Sequence, residues 1–162
     1  MKKQTTGVYL IRDNKVLFLV REKKHDTRHI QGIYLPIGGH VELGEEIEEC
    51  AKREVFEESG VNVKSVELKG ILFIRGQASG ETDIIVTVFT STDFEGEPVS
   101  GNEGHFEWVD REEFDKINLY EGDKVFLKYM FSSQFFVLDF QYKGFEFINY
   151  KILKLINQAK NK

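Results

Sequence analysis

A single segment of strong helical periodicity, Glu45 to Ser59, lies in a chain whose other patterned segments mostly alternate like β-strands. Glycines cluster before this segment, and Gly60 follows it in the position of a helix C-terminal cap. Predicted strands occur on both sides of the helix. This order favours an α/β or α+β fold with a mixed sheet over an all-helical or all-strand protein.

Alternation and turn residues predict the other elements. Asp13-Asn14-Lys15 is typical of a turn and makes the start of the chain a hairpin, and Lys143-Gly144 marks a closing C-terminal hairpin. The polar stretch Glu22 to Gln31 is interpreted as a surface loop beside the site. The predicted strands are Thr6–Ile11, Val16–Arg21, Ser65–Arg75, Asp83–Thr90 and His105–Val109, and short helices are predicted over Arg111–Ile117 and Gly122–Phe131.

Composition limits the class of protein. The chain has 162 residues, 41% of them hydrophobic, so we expect a single domain over residues 1–162 with its own core. Its only cysteine, Cys50, cannot close an intrachain disulfide, and the first residues lack the apolar stretch of a secretory signal. We therefore expect a cytoplasmic protein. No apolar run approaches the roughly 20 residues that span a bilayer.

The charge balance bears on partners. With a net charge of −5, the chain has no long-range field that would attract DNA or RNA. We expect a small-molecule ligand and neither a nucleic acid nor a membrane, and an anionic ligand would then need local cations or a metal. The sequence leaves a homodimer open.

Helical periodicity predicts which face of Glu45 to Ser59 is buried. At ~100° per residue, the apolar side chains form one stripe, made of Ile47, Cys50, Ala51 and Val55. Glu54 and Glu58 project close to the direction of Ile47, and Glu57 lies on the flank. The inner face of the helix is thus predicted to be apolar at its start and acidic at its end.

These three glutamates carry the main argument about function. The last turns of a helix favour cations, and spacings of three and four residues bring like charges together. At a separation of ~6 Å and an effective dielectric of ~20, each partly buried pair repels by about 3 kcal/mol. A divalent cation such as Mg²⁺ would compensate this repulsion, and so would ion pairs with Lys52 and Arg53. The spacing favours the metal and leaves both interpretations open.

The stretch Gly39 to Val61 fits the pattern G-x5-E-x7-R-E-(apolar)-x-E-E-x-G-(apolar) without a mismatch. Its fixed positions hold Gly39, Glu45, Arg53, Glu54, Val55, Glu57, Glu58, Gly60 and Val61. This is the signature of the MutT/Nudix hydrolase superfamily, which the chain therefore resembles. The resemblance implies an α/β/α sandwich around a mixed β-sheet, here with an extra C-terminal β-hairpin. It also implies an enzyme that cleaves a nucleoside diphosphate linked to another group.

The resemblance also implies roles for the residues that match. Glu54, Glu57 and Glu58 correspond to the metal ligands and would bind Mg²⁺, with Mn²⁺ as an alternative. Arg53 belongs to the catalytic group, but as the partner of Glu45 in an ion pair that braces the loop against the helix.

The glycines of this region are predicted to have backbone roles. Gly38 and Gly39 would let the backbone approach a phosphate or turn sharply, and Gly60 would support the helix end. Residues Leu35 to Gly38 resemble the strand that precedes the signature in this superfamily.

Weaker similarity continues beyond the signature. Glu103 corresponds to a further metal ligand or to the base that deprotonates water, and a solvated loop glutamate is the alternative. Tyr120 and Asp123 correspond to the residues that stack on the base and bind the purine edge in oxidised-purine nucleoside triphosphatases. Alternatively, Asp123 only opens a helix and Tyr120 packs on the core. Arg21, at a strand end, is a candidate phosphate ligand.

One residue departs from that subfamily. Leu35 lies where an asparagine usually reads the base, so selectivity for 8-oxo-guanine is not implied. The leading hypothesis is a Mg²⁺-dependent hydrolase of a purine nucleoside triphosphate, oxidised or not, that releases a nucleoside monophosphate and pyrophosphate. The alternatives are hydrolysis of ADP-ribose, a nucleotide sugar or a dinucleotide, and a non-catalytic nucleotide-sensing or protein-binding module.

Overall fold

The structure is a computed structural model that describes residues 3–22, 32–77, 83–144 and 146–158. The predicted loop Glu22 to Gln31 lies outside these ranges except for Glu22. The strands are β1 (Lys3–Arg12), β2 (Lys15–Arg21), β3 (Tyr34–Leu35), β4 (Asn62–Gln77), β5 (Ile84–Glu95), β6 (Gly104–Asp110), β7 (Gln134–Gly144) and β8 (Glu146–Asn157). The helices are α1 (Ile47–Ser59), a 3-10 helix (Arg111–Lys116) and α2 (Glu121–Met130).

The strands form one mixed sheet in the order β3-β2-β1-β5-β4-β7-β8, and β6 pairs with β2 off this path. The pairs β1–β5 and β4–β7 are parallel, and the others are antiparallel. β1 and β2 pair only next to their turn, where Asp13 and Asn14 have φ values of 52° and 64°. Positive φ at both central residues is typical of a type I′ hairpin turn. Beyond this turn the two strands separate, and the sheet curls.

Side chains on the two faces of the sheet build two separate cores. On β1, Val8 and Leu10 point to the side covered by α1, whereas Tyr9 points to the side covered by α2. Leu17 and Phe18 on β2 divide in the same way. The fold is therefore an α/β/α sandwich around a mixed sheet, which confirms the predicted class, and β7 and β8 form the predicted C-terminal hairpin.

Helix α1 ends where the sequence predicts. Gly60 has φ 77° and ψ 0°, and its backbone N–H donates to the Phe56 carbonyl oxygen, which closes the helix with a left-handed cap. Cys50, Ala51 and Val55 are fully buried. The helix begins at Ile47 instead of Glu45, however, and the Ile47 side chain is 38% exposed. Placing Ile47 in the buried stripe was wrong, because periodicity gives the direction of a side chain and not how far the sheet extends to cover it.

The segment between β3 and α1 runs along the edge of β1 that faces away from β5. Ile37 exchanges backbone hydrogen bonds with Val8, and the Thr6 amide donates to the Gly39 carbonyl oxygen. The strand predicted for Leu35 to Gly38 is shorter than expected, because β3 stops at Leu35 and Pro36 has no N–H to continue the ladder. In the described residues, no helix is long and apolar enough to cross a membrane.

Candidate active site

Arg53 is the centre of the candidate site. Its Nε lies 2.6 Å from Glu45 Oε2 and its Nη2 lies 3.0 Å from Glu45 Oε1, a bidentate pair that joins helix α1 to the loop before it. Its Nη1 lies 2.9 Å from Glu54 Oε1 and 3.1 Å from Glu57 Oε2. Nη2 also donates to the His40 carbonyl oxygen. The predicted pair of Arg53 and Glu45 is present and belongs to a larger network.

The ion pair changes the proton affinity of both partners. Hydrogen bonds from Arg53 lower the pKa of Glu45 to about 2, and the carboxylate in turn raises the pKa of Arg53. Both groups therefore stay charged at all ordinary pH values. Only 14% of the Glu45 side chain and 24% of the Arg53 side chain are exposed, so water screens this pair less than a surface ion pair.

Two glycines bring the loop close to its neighbours. A Cβ atom at Gly38 would clash with the Thr6 carbonyl of β1, and a Cβ atom at Gly39 would overlap the Glu54 carboxylate. Here the close approach is between parts of the protein, namely the loop, β1 and helix α1. Position 38 therefore needs glycine even before any phosphate is considered, whereas a side chain at position 39 would displace the Glu54 carboxylate.

A cavity of about 310 Å³, called here the acidic cavity, opens beside the end of α1. Its acidic lining comes from Glu57 and Glu58 of α1 and from Glu103 in the loop before β6. Arg21, at the end of β2, lies next to it, with Nη2 4.0 Å from Glu103 Oε2. The structure thus brings together residues that are far apart in the sequence but were all predicted to belong to the site.

Glu58 is the most perturbed of these carboxyl groups. Burial, followed by the charges of Glu103 and Glu54, raises the pKa of Glu58 to about 8, against the effects of a hydrogen bond from the Gly38 amide and the charge of Arg21. Its Oε2 is buried without a hydrogen-bond partner among the described residues. A carboxyl group with a raised pKa and an unsatisfied oxygen in a cleft is typical of a functional site.

The donor set fits a hard divalent cation. Carboxylate oxygens suit Mg²⁺, which keeps several water ligands and needs only one or two protein carboxylates. No three His, Cys, Asp or Glu side chains in the described ranges are arranged to hold one ion, and Arg53 contacts both Glu54 and Glu57. Arg53 contacts Glu54 only at Oε1 and Glu57 only at Oε2, and Glu58 Oε2 has no partner within those ranges, so each of the three carboxyl groups has an oxygen that Arg53 does not hold.

A second cavity, called here the aromatic cavity, has a volume of about 160 Å³ and lies on the α2 side of the sheet. Tyr120 and Asp123, at the start of α2, both line it, and Leu35 of β3 also belongs to the lining. Burial raises the pKa of Asp123 to about 7. Near neutral pH a large share of this side chain is therefore protonated and can donate as well as accept a hydrogen bond.

Tyr9 is a lining residue of the aromatic cavity that the sequence did not point out. The residue is fully buried, and its hydroxyl oxygen has no hydrogen-bond partner among the described residues. Burial, followed by the charge of Asp123, raises the pKa of Tyr9. The sequence does place a polar aromatic side chain among the apolar residues of β1, between Val8 and Leu10. The pattern of β1 alone, however, assigns Tyr9 to the core and does not reveal the cavity.

A larger cavity of about 570 Å³ lies between the 3-10 helix and α2 and is lined mainly by Phe114, Leu119, Leu127 and Phe131. It contains none of the predicted site residues. The size of a cavity therefore does not identify the candidate site of this protein. The clustering of carboxyl groups around the acidic cavity does identify it.

The mixed sandwich with an acidic cavity at the end of α1 is the architecture of a class of enzymes that hydrolyse phosphoric anhydrides. The sequence matches the NUDIX domain over residues 1–130, and the chain belongs to this family. It is a Nudix hydrolase, an enzyme that hydrolyses nucleotide pyrophosphates, as the sequence predicted.

Three relatives define the similarity. The oxidized purine nucleoside triphosphate hydrolase of Danio rerio is 28% identical over 147 residues, which cover 90% of each chain. The crystal structure of the MutT protein from Bacillus halodurans superposes with a TM-score of 0.81 at 29% identity and covers 93% of this chain and 97% of that one. The NAD-capped RNA hydrolase NudC of Mannheimia succiniciproducens is 36% identical, but over only 39% of this chain and 24% of its own length.

Replacing Arg53 tests the network. In Arg53→Ala, the glutamates lose charge-assisted hydrogen bonds, and we expect the free energy of unfolding to fall by about 2 kcal/mol in urea titrations. Arg53→Lys keeps the charge without the bidentate geometry and should lose an intermediate amount. Equal stability of wild type and Arg53→Ala would show that the network does not hold the loop to the helix.

Glu58 should make stability depend on pH. Between its ordinary pKa of 4.5 and its folded value of about 8, the folded state keeps a proton that the unfolded state releases, so the free energy of unfolding falls as pH rises. In Glu58→Gln, measured with EDTA present, this decline should be shallower than in wild type. Glu48→Gln, in the exposed first turn of α1, is the matched control. Identical slopes for wild type and Glu58→Gln would mean that Glu58 is ionised in the folded protein.

Proposed function

We propose that this enzyme is a Mg²⁺-dependent diphosphatase of purine nucleoside triphosphates, with Mn²⁺ as a substitute metal, that releases a nucleoside monophosphate and pyrophosphate. The observation that carries the proposal is the pairing of an acidic cavity with an aromatic cavity in one fold. The first suits a metal-bound phosphate chain, and the second suits a flat base. The similarity to the oxidized purine nucleoside triphosphate hydrolase of Danio rerio over 90% of the chain supports the same substrate class.

The protein's contribution in the acidic cavity is charge placement. Glu54, Glu57 and Glu58 would hold the metal, which supplies charge neutralisation to the phosphates and acidity to a bound water. Glu57 and Glu103 lie at the wall of this cavity, and either carboxylate can take the proton of the attacking water. Phosphoryl transfer needs little other covalent help, because its transition state is stabilised mainly by position and charge.

Other residues keep this arrangement in place. Arg53 holds Glu54 and Glu57 from one side and Glu45 from the other, so it orients the carboxylates without needing to touch substrate. Gly38 and Gly39 keep the loop close to β1 and Glu54, and Gly60 ends the helix beyond the carboxylates. Arg21, beside Glu58 and Glu103, is the proposed cation for a phosphate oxygen.

In the aromatic cavity the base would stack on Tyr120 and form hydrogen bonds with Asp123. Two further polar groups support this role: the Tyr9 hydroxyl, which has no partner in the described part of the chain, and the Tyr142 hydroxyl, which accepts from the Gly122 amide. Leu35 contributes only apolar surface here. Recognition of the base would therefore come from the α2 side of the cavity, with β3 providing shape.

A second substrate class is hydrolysis of a dinucleotide, nucleotide sugar or ADP-ribose. It is favoured by Leu35, which removes a polar contact expected for oxidised purines, and by the partial similarity to the NAD-capped RNA hydrolase NudC. The products distinguish the two classes. Pyrophosphate identifies a triphosphate substrate, whereas two monophosphates identify a dinucleotide, so a panel assayed by chromatography with Mg²⁺ and with Mn²⁺ tests the proposal. No turnover of any triphosphate would reject it.

Glu57→Gln should abolish turnover while leaving the melting temperature nearly unchanged, since the contact of this half-exposed side chain within the described structure is its hydrogen bond to Arg53. We expect kcat to fall at least ~100-fold, as for loss of a general base or metal ligand. Glu49→Gln, in the exposed first turn of the same helix, is the matched control. A large loss of stability with retained activity would instead assign Glu57 to the ion-pair network alone.

Asp123→Asn tests recognition of the base. The change removes a buried carboxyl group but keeps its size, so we expect KM for the preferred purine triphosphate to rise about tenfold, with kcat little changed. KM for a pyrimidine triphosphate should not move. Glu121→Gln, at the exposed start of the same helix, is the control. If Asp123→Asn alters purine and pyrimidine kinetics equally, Asp123 does not contact the base.

A further inference from the structure

Strand β8 is an edge strand with an unusual number of exposed apolar side chains. It is the last strand in the sheet order and, among the described residues, pairs only with β7, so its outer edge carries unpaired backbone groups. Six large apolar side chains on this strand are each between 37% and 49% exposed, namely Ile148, Tyr150, Ile152, Leu153, Leu155 and Ile156. Neither the acidic cavity nor the aromatic cavity includes any of them.

The pairing register shows that part of this apolar surface continues the core. Tyr150 lies opposite Phe140, Ile152 opposite Leu138, and Leu155 opposite Phe136. The three β7 residues are fully or almost fully buried in the α2-side core, yet their β8 partners remain exposed. Helix α2 therefore covers β7 but leaves the neighbouring strip on β8 in contact with solvent.

A long, apolar edge strand is a template for pairing with another chain, and proteins normally shield such edges. Adding a strand beside β8 would satisfy its free N–H and C=O groups and place the side chains of the new strand next to the apolar strip. Two lysines on the strand, Lys151 and Lys154, oppose indiscriminate pairing because like charges directly opposite each other repel. Any partner strand must therefore place its charges to suit them.

We propose that the strand covering β8 is β8 of a second copy of this chain, paired antiparallel about a two-fold axis at Tyr150. β8 has one bulged residue on each side of Tyr150, namely Ile148 and Leu153, so the count of residues stays equal on the two paired strands. In that register Glu146 of each copy lies opposite Lys154 of the other, and Asn149 lies opposite Lys151. A two-fold axis between Ile152 and Leu153 would instead set Lys151 against Lys154. Because the interface is the same surface on both copies, assembly closes at two subunits.

The charge pairs provide a test specific to this register. Lys154→Glu places a second carboxylate opposite that of Glu146 twice per dimer, and we expect the dimer dissociation constant from sedimentation velocity to rise roughly tenfold. The double variant Lys154→Glu/Glu146→Lys reverses both charges and should restore the affinity of wild type. Lys64→Glu, on β4, is a control that leaves β8 unchanged, and circular dichroism checks that each variant is folded.

Three results of these measurements would contradict the proposed dimer. A wild-type protein that stays monomeric over a wide concentration range, a dimer unaffected by Lys154→Glu, or a weakened dimer that the double variant does not restore would each overturn the proposal. Should Lys154→Glu fail to fold, hydrogen exchange of wild type decides. Amides of 146–157 should exchange more slowly at high than at low protein concentration, and exchange rates independent of concentration would also overturn it.

Discussion

The ion-pair network around Arg53 holds the candidate site together. Helix α1 places several carboxylates in its last turns, where the helix dipole disfavours them. One guanidinium contacts Glu45, Glu54 and Glu57 and the His40 carbonyl oxygen, and so offsets this repulsion while fixing the loop before the helix. The planar five-donor geometry of arginine allows these contacts at once, whereas a lysine offers a single point of charge.

One carboxyl group near the end of α1 lies outside this network. Glu58 is outside the contacts of Arg53, is largely buried, and shares the acidic cavity with Glu103. Its raised pKa means that Glu58 holds a proton near neutral pH, at a position that is proposed above for the metal. Metal binding and deprotonation of Glu58 would thus be coupled, since ligands of a hard cation must be deprotonated. Ion pairing with Arg53, which the spacing alone presented as an alternative to metal binding, involves Glu54 and Glu57 but not Glu58.

The two cavities are lined by residues of two neighbouring strands of the same sheet. Leu19 of β2, which lines the acidic cavity, pairs with Leu35 of β3, which lines the aromatic cavity. The distance between a bound base and its phosphates would therefore be fixed by strand pairing, which is stiffer than a loop. At the far end of the sheet, β7 lines the aromatic cavity through Phe140 and Tyr142 and also carries β8. An interface on β8 would thus be continuous with the wall of the aromatic cavity.

Local sequence patterns were sufficient to predict the main elements, the α1 signature and the family, because periodicity, caps and turn residues are properties that single segments carry. They also named Glu57, Glu58 and Glu103 as site residues, although the roles of these residues remain predictions. The tertiary structure was needed to show that Arg53 forms ion pairs with Glu54 and Glu57, and that Glu58 has an unsatisfied oxygen among the described residues. It was also needed to show that Ile47 is exposed and that Tyr9 lines a cavity. These properties depend on which strand, loop or helix end lies within a few ångströms of a side chain. Those distances are set by the packing of segments that are far apart in the sequence.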